Sequence, residues 1–249
     1  MFSFSFSPYS SVRRPPSSSL SRVLPQKIWH TCDQPKYVYC QNSCDDNIPV
    51  TSDDFFKIVI ILDESGSMQS IKNDMQKAIN DLITEQKQVN GRPATLTLVK
   101  FNDNVNRVIK NKNLADINTL SSEDYMPNGS TALYDAIGDT VNWFRNEKNV
   151  LMIIVTDGQE NASRRYTRSD VTRMLEDKKS KNEWSYVYLS CDLNTFAQGN
   201  NIGLQRSEFA TNNVIPQAQY GQYMSNNLNS AIKNFRTKGM SVQAQLNVA

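Results

Sequence analysis

Histidine is nearly missing from this sequence: His30 is the only one in 249 residues. A serine nucleophile normally takes its general base from histidine, and the chain has neither a GxSxG elbow nor a GxxxxGK[ST] phosphate cradle. Long apolar runs are missing too. The longest, Ile58 to Leu62 and Val150 to Val155, fall far short of the roughly 20 apolar residues that cross a bilayer, so no membrane span is expected. Charge of one sign is also lacking, since 27 basic residues against 25 acidic ones leave a net +2. That balance gives no general reason to expect a nucleic-acid or membrane-surface partner.

Cysteine is sparse. Cys32, Cys40, Cys44 and Cys191 are neither dense nor evenly spaced enough for a disulfide framework. His30 with Cys32, Cys40 and Cys44 gathers soft ligands, but only Cys40 and Cys44 approach structural zinc spacing. Unpaired thiols in a reducing compartment are the default expectation.

Residues 1–50 are expected to form a disordered, low-complexity leader. The stretch MFSFSFSPYSSVRRPPSSSLSRVLPQ alternates Phe with Ser and then turns to Ser, Pro and Arg, without the continuous apolar segment of a secretory signal. Pro and Ser cannot build a core. No acidic residue precedes Asp33, and Arg13, Arg14 and Arg22 give a composition that overlaps with organelle transit peptides. The expected location is intracellular and cytoplasmic, with an organelle address in the leader as the alternative.

From residue 51 to about 240 the chain alternates strand and helix signals, and 241–249 is expected as a flexible tail. FFKIVIIL and VLMIIV read as strands buried on both faces. Met68, Ile71, Met75, Ala78, Ile79, Leu82 and Ile83 recur at helical spacing and stop by Asn90 to Pro93. ATLTLVKF is the next strand, Asn102 to Asn104 a turn, and VNRVIK a short strand returning antiparallel. Leu133 to Phe144 predicts a helix, and Thr167 with Asp170 has capping-box spacing for another. WSYVYLSC is a strand, Ser207 to Ala210 is expected as a short last one, and Gln219 to Arg236 closes as a helix. Trp143, Trp184, Tyr186 and Tyr188 are expected to pack rather than to stack on a ligand. The fold class predicted is α/β: a doubly wound, Rossmann-like, mostly parallel sheet with one antiparallel edge strand and helices on both faces.

Folds of this kind bind ligands beyond the carboxyl ends of their strands. Asp63, Ser65 and Ser67 follow one strand, Thr131 precedes a helix, and Asp157 ends another strand. If the strands are neighbours, these side chains offer oxygen alone, with no sulfur or imidazole. Such a set suits a hard cation. Read singly, DxSxS can cap a helix and TDG can be a turn.

Together the motifs resemble a von Willebrand factor type A domain with a complete metal-ion-dependent adhesion site. DxSxS matches Asp63, Ser65 and Ser67 in DESGSM, the second-loop threonine matches Thr131 in PNGSTALYDAI, and the third-loop aspartate matches Asp157 in IVTDGQENASR. The stretches ATLTLVKFND and TDGQENASR are similar to those of compact stand-alone versions in bacteria and phages. The resemblance covers about 55 to 237. It implies six strands and one divalent cation, Mg²⁺ first, with Mn²⁺ and Ca²⁺ left open. The serine and threonine hydroxyls would bind the ion directly and the aspartates often through waters. A protein partner would complete the shell with an Asp or Glu carboxylate. The resemblance also places a switch at Thr131, whose loop carries Asn128 and Gly129. A rim of Glu64, Asn128, Gly129, Glu160, Arg164 and Arg165 is expected to face the partner.

The expected role is binding, not catalysis. An aspartyl phosphotransferase usually carries a second aspartate where this chain has Ser65. A metal-assisted hydrolase would need Glu64 or Glu160 as a general base. A nucleic-acid binder would use Arg164 to Arg168 with Tyr166. Those two are the alternative functions.

Overall fold

The two apolar runs become the centre of a sheet because nothing in them can face water. In the computed structural model, residues 55–181, 183–207 and 210–247 are described. His30, Cys32, Cys40, Cys44 and the leader lie outside them. The strands are β1 (Phe56–Asp63), β2 (Ala94–Phe101), β3 (Val105–Asn113), β4 (Val150–Val155), β5 (Trp184–Ser190) and β6 (Ala210–Val214). Their order is β3-β2-β1-β4-β5-β6. Neighbours run parallel except β3, which returns antiparallel to β2 at one edge.

Alternation along β1 feeds two cores. Ile58, Ile60 and Leu62 pack on one face with α1 (Lys72–Lys87) and the carboxyl-terminal helices. Val59 and Ile61 pack on the other with α2 (Leu133–Trp143) and α3 (Arg168–Ser180). Period-two side-chain direction in a strand is enough to produce this division. The apolar stripe of α1, Met75, Ala78, Ile79, Leu82 and Ile83, is fully buried. α3 begins at the expected capping box, in which Thr167 accepts from Asp170 N and Asp170 accepts from Thr167 N.

Four expectations shift. A 3-10 turn, Gly66–Ile71, precedes α1 where the sequence pattern shows one continuous helix. The last strand lies at Ala210–Val214, not Ser207 to Ala210. Buried Asn212 and Asn213 break its apolar pattern; Asn212 donates to Phe196 O at 3.0 Å and Asn213 to the Tyr223 hydroxyl at 2.8 Å. The segment expected as a tail from 241 instead contains α7 (Val242–Leu246), docked through buried Val242 and Leu246. Trp143 is 37% exposed, with the Arg107 guanidinium 4.3 Å over its ring, whereas Trp184, Tyr186 and Tyr188 are buried.

The remaining helices are α4 (Leu193–Asn201), α5 (Tyr220–Tyr223) and α6 (Asn229–Lys238), the last two joined by a π turn, Met224–Leu228. β1 connects outward to β2 on one side, while β4 lies on its other side. The sheet therefore reverses its winding between β1 and β4. Asp63 ends β1 and Asp157 follows β4, so both stand at this switch point. No described helix is long and apolar enough to cross a membrane.

Candidate metal centre

Asp63 is fully buried at the end of β1. Its Oδ1 accepts from Ser65 N at 2.7 Å, which folds the chain into a tight turn, and its Oδ2 accepts from the Thr156 hydroxyl at 2.6 Å. The Ser65 and Ser67 hydroxyls lie 3.1 Å apart. Ser67 donates to Asp157 Oδ1 at 2.7 Å, linking the first loop to the one after β4. Gly158 brings in the third piece: a Cβ built there would stand 3.0 Å from Thr131 Oγ1 and 3.8 Å from Asp63 Oδ2. The structure thus gathers Asp63, Ser65, Ser67, Thr131 and Asp157 around one point at the switch.

Electrostatically the point is short of positive charge. Burial pushes the Asp63 carboxyl up from 3.8 to about 6, against the pull of its bonds to Thr156 and Ser65, and Asp157 pushes it further. Burial also raises Asp157, partly offset by the Ser67 bond. None of the ion pairs among the described residues reaches either carboxylate. Nor does any group of three His, Cys, Asp or Glu side chains among the described residues form a metal-holding cluster. The donor set is two carboxylates and three hydroxyls, all oxygen, which fits a hard divalent cation and not a thiolate or imidazole metal.

The surrounding loops are bonded to one another. The Tyr125 hydroxyl donates to Asp63 O at 2.6 Å, Asn128 N to Glu64 O at 2.8 Å, and Gly66 N to Gly129 O at 3.1 Å. Gly129 has φ 75°, the left-handed region, and a Cβ there would fall 2.1 Å from Asp103 Oδ2. Thr131 N donates to Asn161 Oδ1 at 2.9 Å, and Thr131 O accepts from Asn161 N at 3.0 Å. The loop expected to switch is held at each end by these bonds.

The expected rim divides. Glu64 is buried, ion-paired to Lys100 at 2.7 Å and accepting from Met126 N at 2.6 Å, so its carboxylate serves the loops and is not presented outward. Glu160 accepts from Tyr134 N at 2.9 Å, Ala162 N at 3.0 Å and Ser163 N at 2.7 Å. Asn128 bonds Asn102 and Met126 O within the loops. Arg165 pairs with Asp135 and Asp139 at 3.3 and 2.7 Å. Arg164 is exposed.

The Asp135 carboxylate is taken up by Arg164 N, Arg165 N and Tyr166 N and by the Arg165 guanidinium. Burial would raise its pKa, but backbone donors from Arg164, Arg165 and Tyr166 outweigh that and hold it low. Residues without a recognisable signal in the sequence also shape the site. Thr156 is the threonine of the TDG motif and Asn161 lies three residues beyond its glycine, but only the fold shows that the Thr156 hydroxyl bonds Asp63 and the Asn161 carboxamide bonds Thr131 N. Gln217 arrives from 60 residues beyond Asp157, so no local pattern could reveal it.

A profile of the von Willebrand factor type A domain matches residues 57–189. No curated protein matches the sequence. The chain is similar in structure to a von Willebrand factor type A protein from Catenulispora acidiphila, with TM-score 0.52 and 15% identity over 73% of this chain and 42% of that one. It is similar to proximal thread matrix protein 1 from the mussel byssus, with TM-score 0.50 and 18% identity over 70% and 45%. It is also similar to the PilB minor pilin from Streptococcus sanguinis, with TM-score 0.54 and 13% identity over 81% and 64%. The match spans less than two thirds of each of those chains, and at these identities it shows the fold alone. The sequence match extends from β1 to the end of β5 and carries all of the gathered oxygen donors, and the chain belongs to the von Willebrand factor type A family.

Proposed function

We propose that this domain is a cation-dependent protein-binding module with a complete metal-ion-dependent adhesion site. Asp63, Ser65, Ser67, Thr131 and Asp157 would hold one divalent cation, Mg²⁺ first, with Mn²⁺ and Ca²⁺ compatible with the same oxygens. The observation that carries the reading is the pair of carboxylates, fully buried Asp63 and half-buried Asp157, set among hydroxyls with no ion pair to a cationic side chain among the described residues. Neutral hydroxyl ligands leave an ion more electropositive than a cage of carboxylates would. The ion then attracts a further carboxylate, and the module captures an Asp or Glu of a protein partner.

Two observations favour protein capture over the alternatives, one against hydrolysis and one against nucleic-acid binding. A hydrolase would need a poised base beside the ion, but Glu64 is tied to Lys100 and Glu160 to the backbone of its own loop. Nucleic-acid recognition would use Tyr166 as a stacking surface. Its ring lies against Gly138, where a Cβ would fall 2.5 Å from the ring, and its hydroxyl accepts from Asn142.

Electron paramagnetic resonance of bound Mn²⁺ tests the reading. A short blocked peptide carrying Asp at millimolar concentration is expected to alter the bound-Mn²⁺ spectrum, while the same peptide with Asn leaves it unchanged. Identical responses to the two peptides would contradict carboxylate capture.

A further inference from the structure

Gln217 begins the 3-10 turn Gln217–Gln219, which follows β6 and leads into α5. Its side chain reaches back over the site. Nε2 donates to Asp157 Oδ2 at 2.5 Å and to Ser67 O at 2.9 Å, while Oε1 accepts from the Ser70 hydroxyl at 3.3 Å. Ser67 already occupies Asp157 Oδ1. Both oxygens of this carboxylate are thereby engaged, one by a hydroxyl that belongs to the donor set and the other by a carboxamide that does not.

We propose that Gln217 is a positioning residue of the cation site, one that fixes Asp157 and sets the charge of the centre. The inference rests on the cation reading above. Its carboxamide ties the Asp157 carboxylate to the Ser67 backbone, an arrangement that would keep the Ser67 hydroxyl and the Asp157 carboxylate together for one ion. Partners that orient a ligating carboxylate change metal affinity by about 10 to 100-fold when removed.

The chemical identity of the side chain matters as much as its reach. A carboxamide donates to Asp157 without adding charge, leaving two carboxylates to face a divalent ion. A glutamate in its place would put a third carboxylate on the same ion. The centre would bind cations more tightly and attract an acidic group of a partner less. Gln217 therefore favours an ion that remains open to an external carboxylate.

The test is a Mn²⁺ titration of the full chain, read by the resonance of free Mn²⁺, with melting in chelator measured in parallel. It compares the parent with Gln217→Ala, Gln217→Glu and Asp63→Ala. Gln217→Ala is expected to raise the Mn²⁺ dissociation constant about 10-fold or more while leaving the melting temperature in chelator nearly unchanged, because Gln217 is only half-buried. Gln217→Glu is expected to melt lower in chelator and bind Mn²⁺ more tightly than the parent. A purely structural tie would not separate the two readouts in that way. Parent-like Mn²⁺ affinity in both Gln217 variants would overturn this inference and leave the cation reading intact. Losses of affinity that track losses of chelator stability in both variants would make Gln217 a packing contact and also overturn it. A parent protein that takes up no Mn²⁺, or takes it up as Asp63→Ala does, would overturn both.

Discussion

Replacing Asp63 with asparagine is expected to stabilise the metal-free protein at pH 7.5 by up to about 3 kcal/mol while removing its response to divalent cations. Asp63 is fully buried, and its carboxyl is raised from 3.8 to about 6 by that burial, so its charged form opposes folding. The opposition is complete above about pH 6 and fades as pH falls toward 3.8, where the carboxyl is protonated in folded and unfolded chains alike. The advantage of Asp63→Asn in chelator should therefore shrink on acidification through that window. Asparagine can keep the local bonds: its oxygen can accept from Ser65 N, and its amide can donate to Thr156 Oγ1, whose hydroxyl can turn to Gly158 O at 3.1 Å. In saturating Mg²⁺ the order should reverse, with the parent the more stable. Urea unfolding in chelator and in Mg²⁺, at pH 7.5 and pH 5, checks all three statements. An asparagine variant less stable than the parent in chelator would show that the buried charge is compensated within the protein.

Lys100→Met should cost about 3–5 kcal/mol, because it leaves Glu64 as a buried carboxylate without its partner. The side chains of this pair are only 10% and 12% exposed, and Nζ lies 2.7 Å from Oε1. Glu64 also accepts from Met126 N, so a Glu64 that moves toward water would release the loop leading to Asn128, Gly129 and Thr131. Adding Glu64→Gln to Lys100→Met removes the stranded charge and retains an acceptor for Met126 N. The double variant should accordingly lose much less stability than Lys100→Met alone, with a coupling energy above about 1 kcal/mol in a double-mutant cycle. Additive losses would mean that the pair is screened by solvent and the loop is held by its backbone bonds alone.

What could be read from the sequence follows from how local each signal is. β1 and β4 announce themselves because both faces are covered, which demands continuous apolar runs. Asp63, Ser65 and Ser67 are legible because three donors lie on one turn. β6 lies beyond its expected position because Asn212 and Asn213 break the apolar pattern: Asn212 donates to Phe196 O and Asn200 Oδ1 of α4, and Asn213 bonds Tyr223 and Arg206, partners that hydropathy cannot reveal. α4 carries two asparagines and a glycine near its end, and its start is defined by Asp192 capping Asn194 N and Thr195 N. The bonding of Glu64 and Glu160 has no sequence signal for a similar reason: a glutamate in a loop is usually solvated, and only the fold shows the donors that take up these two. Gln217 needed the sheet order itself, since β6 must lie two strands from β4 before its following turn can reach Asp157.

The proposed site holds one divalent cation among Asp63, Ser65, Ser67, Thr131 and Asp157. Thermal unfolding of the full chain in chelator, and then across Mg²⁺, Mn²⁺ and Ca²⁺ concentrations, tests it most directly when run beside Asp63→Ala. An ion at about 100 times its dissociation constant should stabilise the fold by roughly 2.7 kcal/mol, which corresponds to a rise of about 5–10 °C for a domain of this size. A saturable rise is expected in the parent and none in Asp63→Ala. No rise with any of the three ions up to tens of millimolar, or an equal rise in Asp63→Ala, would contradict it.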